Sequence, residues 1–200
     1  AAALGKFPAS MGLNALERAL RDTSAEVRVA AVQAIGGVAD GGPRALALAR
    51  GAWDHDSSYA VRAAALGAAA RLDEAGRGAI VRAGLATPSY RDAIQNAALG
   101  GAARDPEAVP ASELEPLLGT QQNPAYALAA RAARGDSAAM QLLVRHLDDD
   151  RGWVRGWIVD AFRNGMPDST ARAPLAAARD HLTHAETKTA VDQLLSRPQP

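Results

Sequence analysis

Apolar residues recur every three or four positions along most of this chain, which is the spacing of one face of an α-helix. Leu13, Leu16 and Leu20 share such a face, and after a polar turn the pattern begins again at Val27. Turn and capping residues separate the apolar segments at short intervals. The pattern predicts helix pairs in six successive units, residues 10–40, 41–73, 74–104, 111–135, 136–165 and 167–197.

A motif repeats along these pairs, in which an Asp precedes the Arg of a Val-Arg dipeptide by six residues. Its three copies are Asp22 with Arg28, Asp56 with Arg62, and Asp149 with Arg155. The first two copies lie 34 residues apart, and the third lies 93 residues further on. A repeat of this length is typical of stacked helix pairs. We therefore predict an all-α fold, a right-handed α-solenoid (α-α superhelix) of about six helix pairs in one domain over residues 1–200.

The composition agrees with helices and excludes several kinds of site. Ala accounts for 49 residues and Val plus Ile for only 15, which favours helix over strand. Basic and acidic residues are balanced at 22 each, so no net charge attracts nucleic acid or an anionic membrane. The chain has no Cys, which excludes disulfides and zinc–thiolate sites. No apolar run reaches the length of about 18 residues that a membrane span needs.

Two segments carry a resemblance to a known repeat family. Residues 26–36 read EVRVAAVQAIG, and residues 60–66 read AVRAAAL. Both resemble the second helix of HEAT repeats. The resemblance extends over nearly the whole chain at the level of the fold, and the first, second and fifth units carry it most clearly. It implies a surface for binding proteins.

A narrower resemblance lies in residues 56–66, DSSYAVRAAAL, and residues 85–95, LATPSYRDAIQ. These segments are similar to the C-terminal helical domain of bacterial aminopeptidase-N-type zinc metallopeptidases. Catalysis in that family depends on a His-Glu-x-x-His helix, which this sequence lacks. The resemblance therefore implies a non-catalytic accessory domain with a catalytic domain upstream in the parent protein. It leaves the compartment open and is compatible with an extracytoplasmic parent.

The sequence predicts no catalytic, cofactor or metal residue, and its partner is predicted to be a protein. That partner is either the catalytic domain of the same polypeptide or, if the chain is a free-standing adaptor, a separate protein. Neither a membrane nor a nucleic acid is the favoured partner.

The repeated Asp and Arg residues are interpreted as a structural ladder rather than as chemistry, because they recur at fixed spacing. Each carboxylate is expected to satisfy amides at a helix start, and each Arg to reach a carboxylate of a neighbouring repeat. The third unit lacks the motif. There Thr87 is expected to cap a helix that begins at Pro88.

Four aromatic residues form the predicted interaction surface: Tyr59, Tyr90, Trp153 and Trp157. Aromatic side chains dominate the binding energy of many interfaces. We expect the second helices of the pairs, which carry the motif arginines, to line the concave side of the solenoid.

An enzymatic alternative involves four residues of one predicted helix: Trp153, Arg155, Trp157 and Asp160. Of these, Trp153, Trp157 and Asp160 share one helical face at i, i+4 and i+7. HEAT-fold DNA glycosylases are similar in placing aromatic rings and a carboxylate in a concave groove. The balanced net charge disfavours a duplex-binding protein.

The remaining polar clusters have simpler interpretations. His181 and His184 would suggest a metal site if they shared a helical face, but Thr183 is expected to separate them. His146 is interpreted as a packing residue. The acidic run 148–150 lacks the spacing of a calcium loop and is interpreted as helix-capping carboxylates.

Overall fold

The computed structural model describes residues 9–38 and 42–197, which form α-helices, short 3₁₀ segments and turns without any β-strand. The all-α class predicted from the sequence is therefore confirmed. The helices are α1 (Ala9–Ala19), α2 (Ala25–Ile35), α3 (Gly42–His55), α4 (Tyr59–Leu72), α5 (Arg77–Leu85), α6 (Ala93–Arg104), α7 (Ala111–Leu114), α8 (Asn123–Ala132), α9 (Ser137–His146), α10 (Gly152–Asn164), α11 (Asp168–Arg179) and α12 (Ala185–Leu195). Two 3₁₀ segments, Tyr90–Asp92 and Glu115–Gly119, precede α6 and follow α7.

The chain divides between Ala102 and Ala103 into two compact units. The first contains α1 to α5 and most of α6, and the second contains α7 to α12. The predicted boundary at residues 40 and 41 lies outside the described residues. The single domain over residues 1–200, its six units and its right-handed twist stay predictions.

Alternate helices pack side by side within each unit. In the first unit α2 packs on α4. In the second unit α8 packs on α10 and α10 on α12, while α9 packs on α11. In the second unit, first helices thus pack on first helices and second helices on second helices, which is the packing expected of an α-solenoid.

Small residues allow the helix backbones of the first unit to approach closely. A Cβ atom at Gly36, directly after α2, would lie only 2.9 Å from the Cβ atom of Ala68 in α4. Similarly, a Cβ atom at Gly84 in α5 would lie 2.9 Å from the Cβ atom of Ala98 in α6. Close backbone contact therefore takes the place of large core side chains.

The start of α6 differs from the sequence prediction. Thr87 does not cap it, because its hydroxyl donates to a carbonyl of α5 at 2.7 Å. Instead the hydroxyl of Ser89 accepts a backbone N–H of α6 at 3.0 Å. Arg91 and Asp92 both adopt left-handed backbone angles, with φ of 52° and 53°. The chain therefore turns before α6, and the prediction of a helix beginning at Pro88 is wrong.

Candidate functional site

The four aromatic residues of the predicted surface lie in different units. Tyr59 is the first residue of α4 and Tyr90 lies in the 3₁₀ segment before α6, both in the first unit; they are 42% and 68% exposed. Trp153 and Trp157 lie one turn apart on α10 in the second unit. Trp153 is 53% exposed, whereas Trp157 is half-buried. The second unit thus contains an aromatic pair on a single helix.

Asp160 continues this face of α10 and is held in place by uncharged side chains. Its Oδ2 atom accepts a short hydrogen bond from the Tyr126 hydroxyl of α8 and a 3.4 Å hydrogen bond from Gln122. Its Oδ1 atom accepts one from Asn164 at 2.8 Å. The hydrogen bond to Asp160 raises the pKa of Tyr126, because the carboxylate accepts the proton of the neutral hydroxyl and so stabilises the protonated form. We call Trp153, Trp157 and Asp160 the α10 stripe.

Sequence reasoning missed Tyr126 and Gln122 as neighbours of the α10 stripe. Tyr126 lies 34 residues before Asp160, the spacing of the first two motif copies. Residues one period apart occupy equivalent positions in neighbouring repeats, so the spacing was a usable signal. The predicted helix pair over residues 111–135 has no copy of the Asp–Arg motif, so the motif did not indicate this register.

The first copy of the motif connects two repeats. Arg28 donates from Nε and Nη2 to the two carboxylate oxygens of Asp56, at 2.8 and 3.0 Å. Its Nη1 atom also donates to the backbone carbonyls of Asp22 and Thr23. The Arg28 guanidinium holds the pKa of Asp56 below its usual value. Asp22 accepts the backbone N–H of Ser24 at 2.8 Å.

The second and third copies find other partners. Arg62 donates to the carbonyl of Trp53 at 2.9 Å, and its guanidinium lies 5.3 Å from the centre of the Trp53 ring. Arg155 is 9% exposed and donates to the Asp149 carbonyl at 2.7 Å and to the carboxylate of Glu186 in α12. Of the three motif arginines, only Arg28 therefore forms a bidentate contact with an Asp of a neighbouring repeat in the described structure.

The ladder makes a testable prediction about the Arg28–Asp56 pair. Both side chains are largely buried, so Arg28→Met and Asp56→Asn should each lower the melting temperature. We expect the melting temperature of the double variant to fall by less than the sum of the two single decreases, because the double substitution removes both partners of the pair. Thermal unfolding of all four proteins measures the coupling.

The exposed pair of Arg44 and Glu17 provides a matched control, because 49% and 36% of their side chains remain accessible to solvent. Such exposed pairs contribute little to stability. If double-mutant analysis gave the Arg44–Glu17 pair the same coupling as the Arg28–Asp56 pair, a special role for the Arg28–Asp56 contact would be contradicted.

Asp148 connects the end of α9 to the beginning of α12. Its carboxylate contacts Nδ1 of His184 at 2.8 Å and accepts from the backbone N–H and hydroxyl of Thr183 at 3.0 and 2.9 Å. Contact with His184, and then the Thr183 donors, lower the pKa of Asp148 to about 2. The interpretation of Asp148 as a cap of α10, the helix that follows it, is wrong. Its carboxylate instead binds the start of α12, the second helix of the next helix pair.

We expect Asp148→Asn to destabilise the chain most strongly above about pH 4, where the unfolded carboxyl is ionised. A lowered folded pKa means that the stabilisation is present above the unfolded value. It is lost as the pH falls through the folded value of about 2. Denaturant unfolding of wild type and variant between pH 5 and pH 2 should show the difference between them shrinking toward acid. A constant difference across this range would contradict the assignment.

His146 is partly buried, as expected from the sequence, and both nitrogens of its ring also have polar partners. Its Nδ1 atom lies 2.8 Å from Asp149 and its Nε2 atom 3.1 Å from Glu115. Asp149 also accepts from Nε of Arg151 at 2.9 Å. These contacts, with that of Arg151 the largest, hold the pKa of Asp149 well below its usual range.

His181 and His184 lie in the connection between α11 and α12, so they do not share a helical face. Across residues 9–38 and 42–197, no three His, Asp or Glu side chains are grouped so as to hold a metal ion.

Two open grooves lie between first helices of consecutive pairs. One, of about 500 Å³, lies between α9 and α11 and is lined mainly by apolar atoms, including those of Met140, Val144 and Pro174. The other, of about 490 Å³, lies between α1 and α3 and has the more polar lining, including Glu17 and Arg21. Sequence reasoning missed both grooves, because a groove depends on helix spacing rather than on a motif.

Comparison with known families and proteins gives one match. Residues 13–100 match the family model for HEAT repeats. This segment contains both sequence stretches that resemble the second helix of HEAT repeats. No curated protein matches the chain. HEAT repeats commonly mediate protein interactions, and their all-helical fold is typically non-catalytic.

Among the described helices, none has the length and apolar character needed to cross a lipid bilayer.

Proposed function

We propose that this chain is a non-catalytic HEAT-repeat domain that binds a protein partner through the exposed face of α10. The observation that carries the proposal is the exposure of Trp153, which leaves 53% of an indole side chain in contact with water. Trp is one of the residues enriched among those that dominate binding energy at protein interfaces. The repeat match over residues 13–100 supports the scaffold role.

The opposite face of α10 already supplies the packing that the fold requires. Val154, Ile158 and Phe162 on this helix are completely buried. Because the helix is anchored through these residues, the fold does not depend on the ring of Trp153. An exposed aromatic ring on a rigid helix is thus available for a partner.

The test is to compare Trp153→Ala with wild type in affinity capture from the native cell. We expect capture of a defined protein to fall several-fold, while the free energy of unfolding changes by less than about 1 kcal/mol. Tyr90→Ala removes an aromatic ring of similar exposure from the other unit and serves as the matched control. The proposal fails if Trp153→Ala costs as much stability as a core truncation and leaves capture intact.

A more specific proposal is that the chain is the accessory domain of a bacterial zinc aminopeptidase-like protein. Support comes from residues 56–66 and 85–95, which resemble that family's helical domain and lie within the matched HEAT segment. The intact mass and peptide map of the native gene product test this idea. A longer product with His-Glu-x-x-His upstream of residue 1 would support it. A product near 20.7 kDa would instead support a free-standing adaptor.

A further inference from the structure

We propose that the α10 stripe binds a cationic side chain, so that the partner presents an arginine- or lysine-bearing peptide segment there. The proposal rests on the proposed function and specifies the chemistry of the partner at the same site. Trp153, Trp157 and Asp160 combine two aromatic rings with one carboxylate, which is the combination that recognises an organic cation.

The position of the three residues on α10 fits a single extended side chain. Trp157 and Asp160 are three residues apart, so they are neighbours on the helix surface. Trp153 lies one turn before Trp157 on the same face. A guanidinium or ammonium group between Trp157 and Asp160 would contact both, while Trp153 would cover the aliphatic part of the bound side chain.

Asp160 carries a negative charge that nothing in the described part of the chain neutralises. Its three hydrogen-bond donors, Tyr126, Gln122 and Asn164, are all uncharged. These donors fix the orientation of the carboxylate without pairing its charge. A carboxylate has about four acceptor positions, so one on Oδ1 remains for a further donor.

Two of the three carboxylates of the repeated motif differ from Asp160 in this respect. Asp56 pairs with Arg28, and Asp149 pairs with Arg151. Arg163, an exposed residue three positions after Asp160 on α10, forms no ion pair with Asp160 in the described structure. Arg155 on the same helix is buried and pairs with Glu186. Asp160 therefore provides a negative charge that attracts a cation, and Arg163 partly screens this charge.

The chain already uses the same contact chemistry elsewhere. In the first unit the guanidinium of Arg62 lies 5.3 Å from the centre of the Trp53 ring. This distance is within the range of an attractive cation–π contact. Trp153, at 53% exposure, has no such cation among the described residues.

The experiment measures fluorescence from Trp153 and Trp157 alone, in the full chain carrying Trp53→Phe, since the sequence has three Trp residues. The protein is titrated with a five-residue peptide that has one central arginine, and with the same peptide carrying neutral citrulline. We expect the arginine peptide to change the emission at low salt. We expect citrulline, and separately Asp160→Asn, to weaken binding about tenfold because the charged contact is lost.

A second variant protects the test against misfolding of Asp160→Asn. Arg163→Gln leaves the contacts of Asp160 intact and removes the competing cation, so it should tighten binding of the arginine peptide about twofold. Thermal unfolding of each variant checks that its fold is retained.

Three results would overturn the proposal: equal binding of the arginine and citrulline peptides, no effect of either variant, or preferential binding of a single-stranded oligonucleotide at the same tryptophans. If the arginine peptide does not bind but protein capture still depends on Trp153, the cationic partner is rejected and the proposed function stands. If the arginine peptide does not bind and protein capture does not depend on Trp153, the proposed function is rejected as well.

Discussion

We expect Arg131→Met to lower the free energy of unfolding of the second unit by about 3 kcal/mol, because removal of one partner from a buried ion pair leaves polar groups unsatisfied. Arg131 is only 2% exposed. Its Nε atom donates to Asp136 at 2.8 Å, and its remaining nitrogens donate to the backbone carbonyls of Pro106 and Val109. One side chain therefore satisfies the irregular connection before α7 and the start of α9.

Urea unfolding followed through Trp153 and Trp157 in a Trp53→Phe background measures this loss in the second unit. Arg134→Met is the matched control, because Arg134 is exposed and donates to the single carbonyl of Ala103. We expect the control to lose less than about 1 kcal/mol.

Asp136→Asn in the Arg131→Met background separates the ion pair from the carbonyl contacts. Asn retains the ability of Asp136 to accept the backbone N–H of Ala139 at the start of α9. Partial recovery in the double variant would show that the unpaired charge causes part of the loss. A loss below about 1 kcal/mol for Arg131→Met would contradict the role assigned to it.

Arg131 also shows what the sequence could and could not predict. Its local partner Asp136 lies five residues away across the turn at Gly135, which has a φ of 92°. That contact could be expected from a helix end followed by a capping Asp. The carbonyls of Pro106 and Val109 lie 25 and 22 residues earlier in a segment without periodic pattern. Nothing in the sequence indicates which side chain would satisfy them.

The helices were predictable because their apolar spacing and the Asp–Arg motif are local signals. The partners of the motif arginines were only partly predictable. Arg28 reaches the Asp of the next motif copy, but Arg155 reaches Glu186, because Leu182 stands three residues before α12 where the motif Asp would lie. Likewise Arg62 contacts Trp53, since the third unit has no motif Asp. The period fixes where an Arg stands, whereas its partner depends on substitutions in the next repeat.

We expect Phe162→Ala to lower the free energy of unfolding of the second unit by about 3 to 5 kcal/mol, the usual cost of emptying a large buried aromatic site. Phe162 in α10 is completely buried, and it is the largest fully buried side chain in the described structure.

The Ala-rich surface of α8, one of the helices that pack against α10, favours a loss in the upper part of that range. On α8, which packs against α10, four of the buried residues are Ala and only Leu128 has a large aliphatic side chain. Alanines have no side-chain rotamers with which to fill a cavity, so the surrounding helices relax poorly and the cavity term remains.

Urea unfolding with the signal of Trp153 and Trp157 measures the loss, and Phe162→Leu is the matched variant because it keeps most of the volume. We expect Phe162→Leu to cost about 1 kcal/mol. Equal losses for the two variants would contradict the cavity argument.

The same substitution also tests the prediction of one domain over residues 1–200. The Trp53 signal, observed in a chain with Trp153→Phe and Trp157→Phe, reports on the first unit. In a continuous helical-repeat stack each repeat is stabilised by its neighbours, so a strong loss in the second unit should also shift the Trp53 transition. A Trp53 transition that Phe162→Ala leaves unchanged would instead show that the first unit unfolds independently.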